Sequence, residues 1–160
     1  MFRVTLLAIA VGAVGSSNSL FAQDVLPPEA KAYLDFLEGG WQFTNRQGQR
    51  GTGNVEWAAG KHCMIANTEA GGFKSTGLIG WDPEEEVIVE TWHRSDGTRV
   101  MNRITDFTQE GWNYVGTIHS PKEPPQTLEL DVKIAADGNS FSATTKDGKK
   151  IMYRREENRN

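Results

Sequence analysis

The clearest hydrophobic pattern lies between Gly77 and Arg99, GLIGWDPEEEVIVETWHRSDGTR. Leu78, Ile79 and Trp81 form one apolar run and Val87, Ile88, Val89 and Trp92 another, both in residue types that suit a half-buried pleated surface. Asp82-Pro83 between them suits the first two positions of a type I turn, because the Asp side chain accepts from the turn backbone and Pro fixes φ. Ser95-Asp96-Gly97 supplies the next reversal. This stretch therefore predicts an antiparallel meander, and the rest of the chain extends it. Short β-like runs separated by Gly, Asp, Asn and Pro recur at Trp41–Asn45, Gly53–Trp57, Cys63–Glu69, Lys74–Trp81, Val87–His93, Arg99–Phe107, Trp112–Ile118, Leu128–Ile134, Phe141–Thr145 and Ile151–Arg155. The alternation is cleanest where Leu128, Leu130, Val132 and Ile134 interleave with Glu129, Asp131 and Lys133, so one face is buried and the other solvated. Asp137-Gly138 and Asp147-Gly148 add hairpin turns. One helix is predicted, Glu29–Leu37, where Ala30, Tyr33, Leu34 and Leu37 fall on one face before Gly39-Gly40. The fold class is all-β: an antiparallel up-and-down barrel of about 8–10 strands, which removes the exposed sheet edges, preceded by one short helix.

Composition adds a compartment. With 38% hydrophobic and 24% charged residues the chain is of ordinary globular type. Arg3, the apolar run Val4–Val14 and the small, polar Gly15–Ser19 have the three-part layout of a secretory signal peptide. The run is too short for the roughly 20 residues of a membrane-spanning helix. Cleavage is expected after Ala22, with Ser19 as the alternative, leaving residues 23–160 as a single barrel domain, secreted or periplasmic and without a stable membrane anchor. Loss of Arg3 takes the formal net charge from −4 to −5. An acidic chain is not expected to bind nucleic acid, which requires a basic patch. Cys63 is the single cysteine, so no intramolecular disulfide can staple the core. About 138 residues can bury roughly two-thirds of their unfolded surface without one.

Two features resemble a known group. The helix leading into Gly39-Gly40-Trp41 resembles the Gly-x-Trp start of lipocalin-like (calycin) barrels, in which the Trp plugs the closed end beneath an Arg of the last strand; Arg154 and Arg155 stand where that Arg would. The order Phe36-Leu37-Glu38-Gly39-Gly40-Trp41, Glu56-Trp57, Gly77-Leu78-Ile79-Gly80-Trp81-Asp82-Pro83, Glu90-Thr91-Trp92 and Ser95-Asp96-Gly97 is similar to the bacterial domain-of-unknown-function family 1579. The likeness runs from about Leu34 to Arg155. It implies a barrel with a cavity and carries over no catalytic residue. The related haem-binding nitrobindin-type barrels have a Gly-rich motif after the Trp, where this chain has Gln42-Phe43-Thr44-Asn45, so no cofactor is expected.

Candidate chemistry is sparse. His62, His93 and His119 lack the local spacing of a zinc site; only a barrel interior shared with Glu90 or Asp131 would bring His93 and His119 to a metal. No metal set is assigned. His62 and Cys63 are adjacent on a strand and so point to opposite faces, which makes a poor nucleophile–base pair, and Cys63 reads as a buried, inert thiol. No Gly-x-Ser-x-Gly elbow, phosphate loop or dinucleotide fingerprint occurs. Glu84-Glu85-Glu86 reads as a solvated hairpin tip. The proline-rich Ser120–Pro125 reads as a stiff loop that could rim a cavity mouth. Five tryptophans, at 41, 57, 81, 92 and 112, either fill the barrel ends or line a pocket. In Arg99–Phe107 both faces mix polar and apolar residues, so an inward Asn102 or Arg103 would anchor a ligand. The candidate ligand-binding set is Trp57, Trp92, His93, Asn102, Arg103 and Tyr114, with no catalytic residue assigned. The expected activity is noncatalytic binding of a small, largely apolar molecule. The alternatives are a structural or interaction module with a filled barrel, and a hydrolase-type enzyme using His93 or His119 at the barrel mouth. The oligomeric state is not legible.

Overall fold

The computed structural model describes residues 26–156, so the signal segment expected at 1–22 lies outside the described residues. The helix α1 spans Pro28–Leu37 and buries Ala30, Tyr33, Leu34 and Leu37, the four positions of its apolar stripe. Pro28 suits the first helical turn because a backbone N–H is unused there. Ten strands follow: β1 (Gly39–Thr44), β2 (Arg50–Trp57), β3 (Cys63–Ala70), β4 (Phe73–Asp82), β5 (Val87–Arg94), β6 (Arg99–Thr105), β7 (Gly111–Ser120), β8 (Glu123–Ile134), β9 (Ser140–Thr145) and β10 (Lys150–Arg155). Each strand pairs antiparallel with its neighbours in sequence, and β1 pairs with β10 in the register Trp41↔Arg155. The sheet is a closed ten-stranded up-and-down barrel of lipocalin-like kind.

This meander puts the β1–β2, β3–β4, β5–β6, β7–β8 and β9–β10 turns at one end, and α1 with the remaining connections at the other. The α1 end is the closed end. There the Trp41 indole N–H donates to the Leu37 carbonyl at 2.8 Å, and the Arg155 guanidinium donates to the carbonyls of Phe36, at 2.7 Å, and Glu38. These bonds satisfy carbonyls that the end of α1 would otherwise leave unpaired. The Arg155 charge lies 4.4 Å from the centre of the Trp41 ring, the cation–π geometry expected of the plug. Around it Trp41, Phe141, Trp112, Phe36 and Tyr33 pack with ring centroids 5.1–5.9 Å apart, mostly edge to face.

The Asp82-Pro83 reversal forms as its residues predict, the Asp82 carboxylate accepting from the N–H groups of Glu84 at 2.9 Å and Glu85 at 3.2 Å. Two expectations are corrected. The Ser120–Pro125 stretch is not a long loop: β8 begins at Glu123, and Pro124 and Pro125 fall where the β7–β8 register shifts between Ile118 and Ser120. Proline has no N–H for the ladder, and a bulge is where one is tolerated. Cys63, expected to be buried, is half-buried and free. Its neighbour Met64 takes the fully buried position.

Candidate functional site

On β5 the pleat sends Ile88, Glu90, Trp92 and Arg94 to one face and Val87, Val89, Thr91 and His93 to the other. Ile88 is in the core, so Glu90 faces the barrel interior as well, and it is only 2% exposed. A carboxylate there needs donors, because burial without them is costly. Four converge. The Tyr33 hydroxyl donates to Oε1 at 2.8 Å and the Tyr114 hydroxyl to the same oxygen at 3.2 Å. The Trp92 indole N–H and the Asn102 amide each donate to Oε2 at 3.1 Å. The donors come from α1, β5, β6 and β7, so the cluster ties the helix to three strands.

Each donor is held by its surroundings. Tyr33 is fully buried and packs edge to face on Phe107 and Trp112, with centroids 5.2 Å away in both cases. The Trp92 indole lies flat over Gly77, where a Cβ would stand 2.7 Å from two of its ring atoms. Any side chain at 77 would displace the ring and its N–H. Burial, then the negative charge of Glu90, pushes the Tyr33 and Tyr114 hydroxyls well above the usual phenol range. The same two causes raise Tyr153. All three phenols therefore stay neutral at physiological pH, and Tyr33 and Tyr114 remain donors to Glu90.

Above this cluster, toward the open end, the barrel holds a cavity of about 320 Å³. Its walls include Trp41, Phe43, Trp92, Tyr114, Phe141 and Tyr153, with Ile79, Val100, Leu128, Leu130 and Ile151 between them and Glu90 and Asn102 as polar members. Small residues make the space: Gly53, Thr68, Ser75 and Ala143 line it where larger side chains would fill it. Phe43, Thr68, Ser75 and Arg94 also line an outer cleft with Asn45, Gln47, Gln49, Ala70 and Phe73, so the mouth lies beside the β1–β2 and β3–β4 turns. Arg94 is held at that mouth by Asp96 at 3.0 Å and by the Phe73 ring, 4.6 Å from its charge. The cavity is at the small end of the range for ligand sites, with mostly apolar walls and a few convergent polar groups.

The candidate residues divide between inside and outside. Trp92, Asn102 and Tyr114 are brought together on Glu90 and line the cavity. Trp57 packs against the core without lining that cavity. His93 is exposed and pairs across the sheet with Arg99, which in turn pairs with His119, so the two histidines belong to the outer face. Arg103 also points outward, where its guanidinium grips Glu85 through two bonds of 2.6 and 2.8 Å and holds that carboxyl below its ordinary range. Glu90 is thus inside while His93, His119 and Asp131 are outside, and among the described residues no three His, Cys, Asp or Glu side chains cluster as a metal site. The sequence pointed to Glu90 only as a partner for a histidine-bound metal and to Tyr33 only as part of the apolar helix stripe, and neither stood in the candidate ligand-binding set. The signal for Glu90 was present: a charged residue between Ile88 and Trp92 on one face of an otherwise apolar strand.

No family model and no curated protein matches this chain. The fold and cavity define a closed β-barrel compatible with a lipocalin-like binding domain.

Proposed function

We propose that the chain is an extracytoplasmic, noncatalytic binding protein that takes a small, largely apolar molecule into the barrel. The observation that carries this reading is the interior cavity of about 320 Å³, with aromatic walls and a floor at the four-donor Glu90 cluster. A barrel serving only as a scaffold would gain stability by filling that space, because voids forfeit dispersion contacts. The location outside the cytoplasm rests on the leader-like pattern at residues 1–22, and membership in the domain-of-unknown-function family 1579 on the order of motifs from Leu34 to Arg155. The enzyme alternative has little to work with, since neither His93 nor His119 lines the cavity.

Native mass spectrometry of protein purified from its own compartment tests the reading. A discrete extra mass, released on denaturation and recurring between preparations, is the expected result. Protein that is bare in every preparation, and that takes up no small apolar molecule when challenged with a library, would overturn it.

A further inference from the structure

The hydrogen-bond inventory of the cavity floor is one-sided. The Tyr33 hydroxyl, the Tyr114 hydroxyl, the Trp92 indole N–H and an Asn102 amide hydrogen are all spent on Glu90. A hydroxyl or an indole has one hydrogen to give, so what these groups leave open to the cavity is acceptor capacity on the Tyr114 oxygen, while the Trp112 indole N–H, packed against Tyr114 behind the cavity wall, is a buried donor without a partner among the described residues. Asn102 adds to the acceptor capacity. It is 93% buried, it lines the cavity, and its Oδ1 has no partner among the described residues. That oxygen is enclosed and stands over Gly116, where a Cβ would lie 2.3 Å from it, so the glycine makes room for an acceptor that no described residue uses. The charge is one-sided too. Among the described residues no Lys, Arg or His forms an ion pair with Glu90. Arg94, the cationic residue lining the cavity, is engaged by Asp96 at the mouth.

We infer that the ligand carries a cationic hydrogen-bond donor, an ammonium group on a small apolar body, which settles at the floor beside Glu90, Asn102 and the Tyr114 oxygen. This inference rests on the binding reading and names the ligand class. The Glu90 carboxylate accepts only from neutral donors, and a cation beside it adds the charge partner that none of them supplies. The faces of Trp92, Tyr114 and Tyr153 add the quadrupole attraction that aromatic walls offer a cation. A ligand carboxylate at the same place would meet like charge and unpaired acceptors. A neutral alcohol could donate, without the Coulombic gain.

The test is a matched series of one apolar body with three ends, phenylbutylamine, phenylbutanol and phenylbutyrate, titrated calorimetrically into the folded protein at neutral pH, with the Trp92 indole N–H resonance reporting interior binding. The amine should bind tightest, by about tenfold or more over the alcohol, and the acid weakest. If the alcohol matches the amine, or the acid exceeds it, while the Trp92 signal still responds, the cationic ligand class is overturned and the cavity reading stands. Should none of the three move the Trp92 signal, both fall. Glu90→Gln removes the charge at nearly constant shape and should abolish the preference for the amine; a folded variant that retains it would overturn the inference. If that variant does not fold, the ranking in the unaltered protein decides.

Discussion

The two halves of the barrel interior are built from the same alternating strands and yet do opposite things. At the closed end the inward positions carry Trp41, Met64, Ile88, Ile104, Trp112 and Phe141, all buried and packed under α1. Toward the open end the corresponding strands offer Gly53, Thr68, Ser75, Val100 and Ala143, and a cavity results. Strand count sets how wide a barrel is; the sizes of inward side chains decide how much of it is filled. The closed half is where folding energy is concentrated, while the open half gives up packing for volume. Glu90 lies at the seam, and its donors reach it from the plug and from the cavity wall.

The largest effect should come from breaking that seam with alkali. All three tyrosines of the chain, Tyr33, Tyr114 and Tyr153, are held neutral by burial and by Glu90. Their folded pKa values are raised, so their contribution is fully present below the unfolded value of about 10 and is lost as pH rises beyond it. Each phenol should then remove roughly 1.4 kcal/mol of stability per pH unit. Phenolate absorbance should appear only together with cooperative unfolding followed by circular dichroism. Stepwise titration near the ordinary phenol value in a folded protein would contradict the burial of the cluster.

Next in size is the plug. Trp41→Ala removes a buried indole, its bond to Leu37 and the ring beneath Arg155. It should cost about 3–5 kcal/mol in urea denaturation. In the open half the outcome is reversed: Ser75→Leu puts apolar bulk into empty space at the mouth and should change stability by less than about 1 kcal/mol, because nothing has to be overpacked. Calorimetry on that variant should nevertheless show ligand uptake lost. A large loss of stability with binding intact would erase the distinction between the halves. The smallest effect is expected outside the barrel, where Arg103→Ala breaks an exposed pair with Glu85 and should cost at most about 1 kcal/mol while leaving binding unchanged.

Much of this architecture was legible in the residues, and the reasons differ by element. The β8 alternation, the Asp-Gly turns and the Asp82-Pro83 reversal are local patterns, and local patterns locate strands and the hairpins between them. The α1 stripe was equally local, but its target was not: Tyr33 meets Glu90 from 57 positions away in sequence. In β6 both faces mix polar and apolar residues, so alternation alone could not say whether Asn102 or Arg103 faces inward. The structure turns Asn102 to the cavity, with Glu90 to accept from it, and leaves Arg103 to solvent, where Glu85 meets it across the outer surface. The prolines of β8 misled for a physical reason, since a bulge that absorbs two residues without N–H donors cannot be seen from either strand separately.

The central claim is that the ligand enters the open half and reaches the Glu90 cluster. Indole N–H resonances measure it most directly, because the five tryptophans sample both halves: Trp92 lines the cavity, while Trp57 and Trp81 pack against the core and do not line it. On saturation with phenylbutylamine the Trp92 indole signal should shift, since its N–H is bonded to Glu90, and the Trp57 and Trp81 signals should stay in place. Shifts at Trp57 or Trp81 with Trp92 unmoved, or no shift at any indole, would contradict the account.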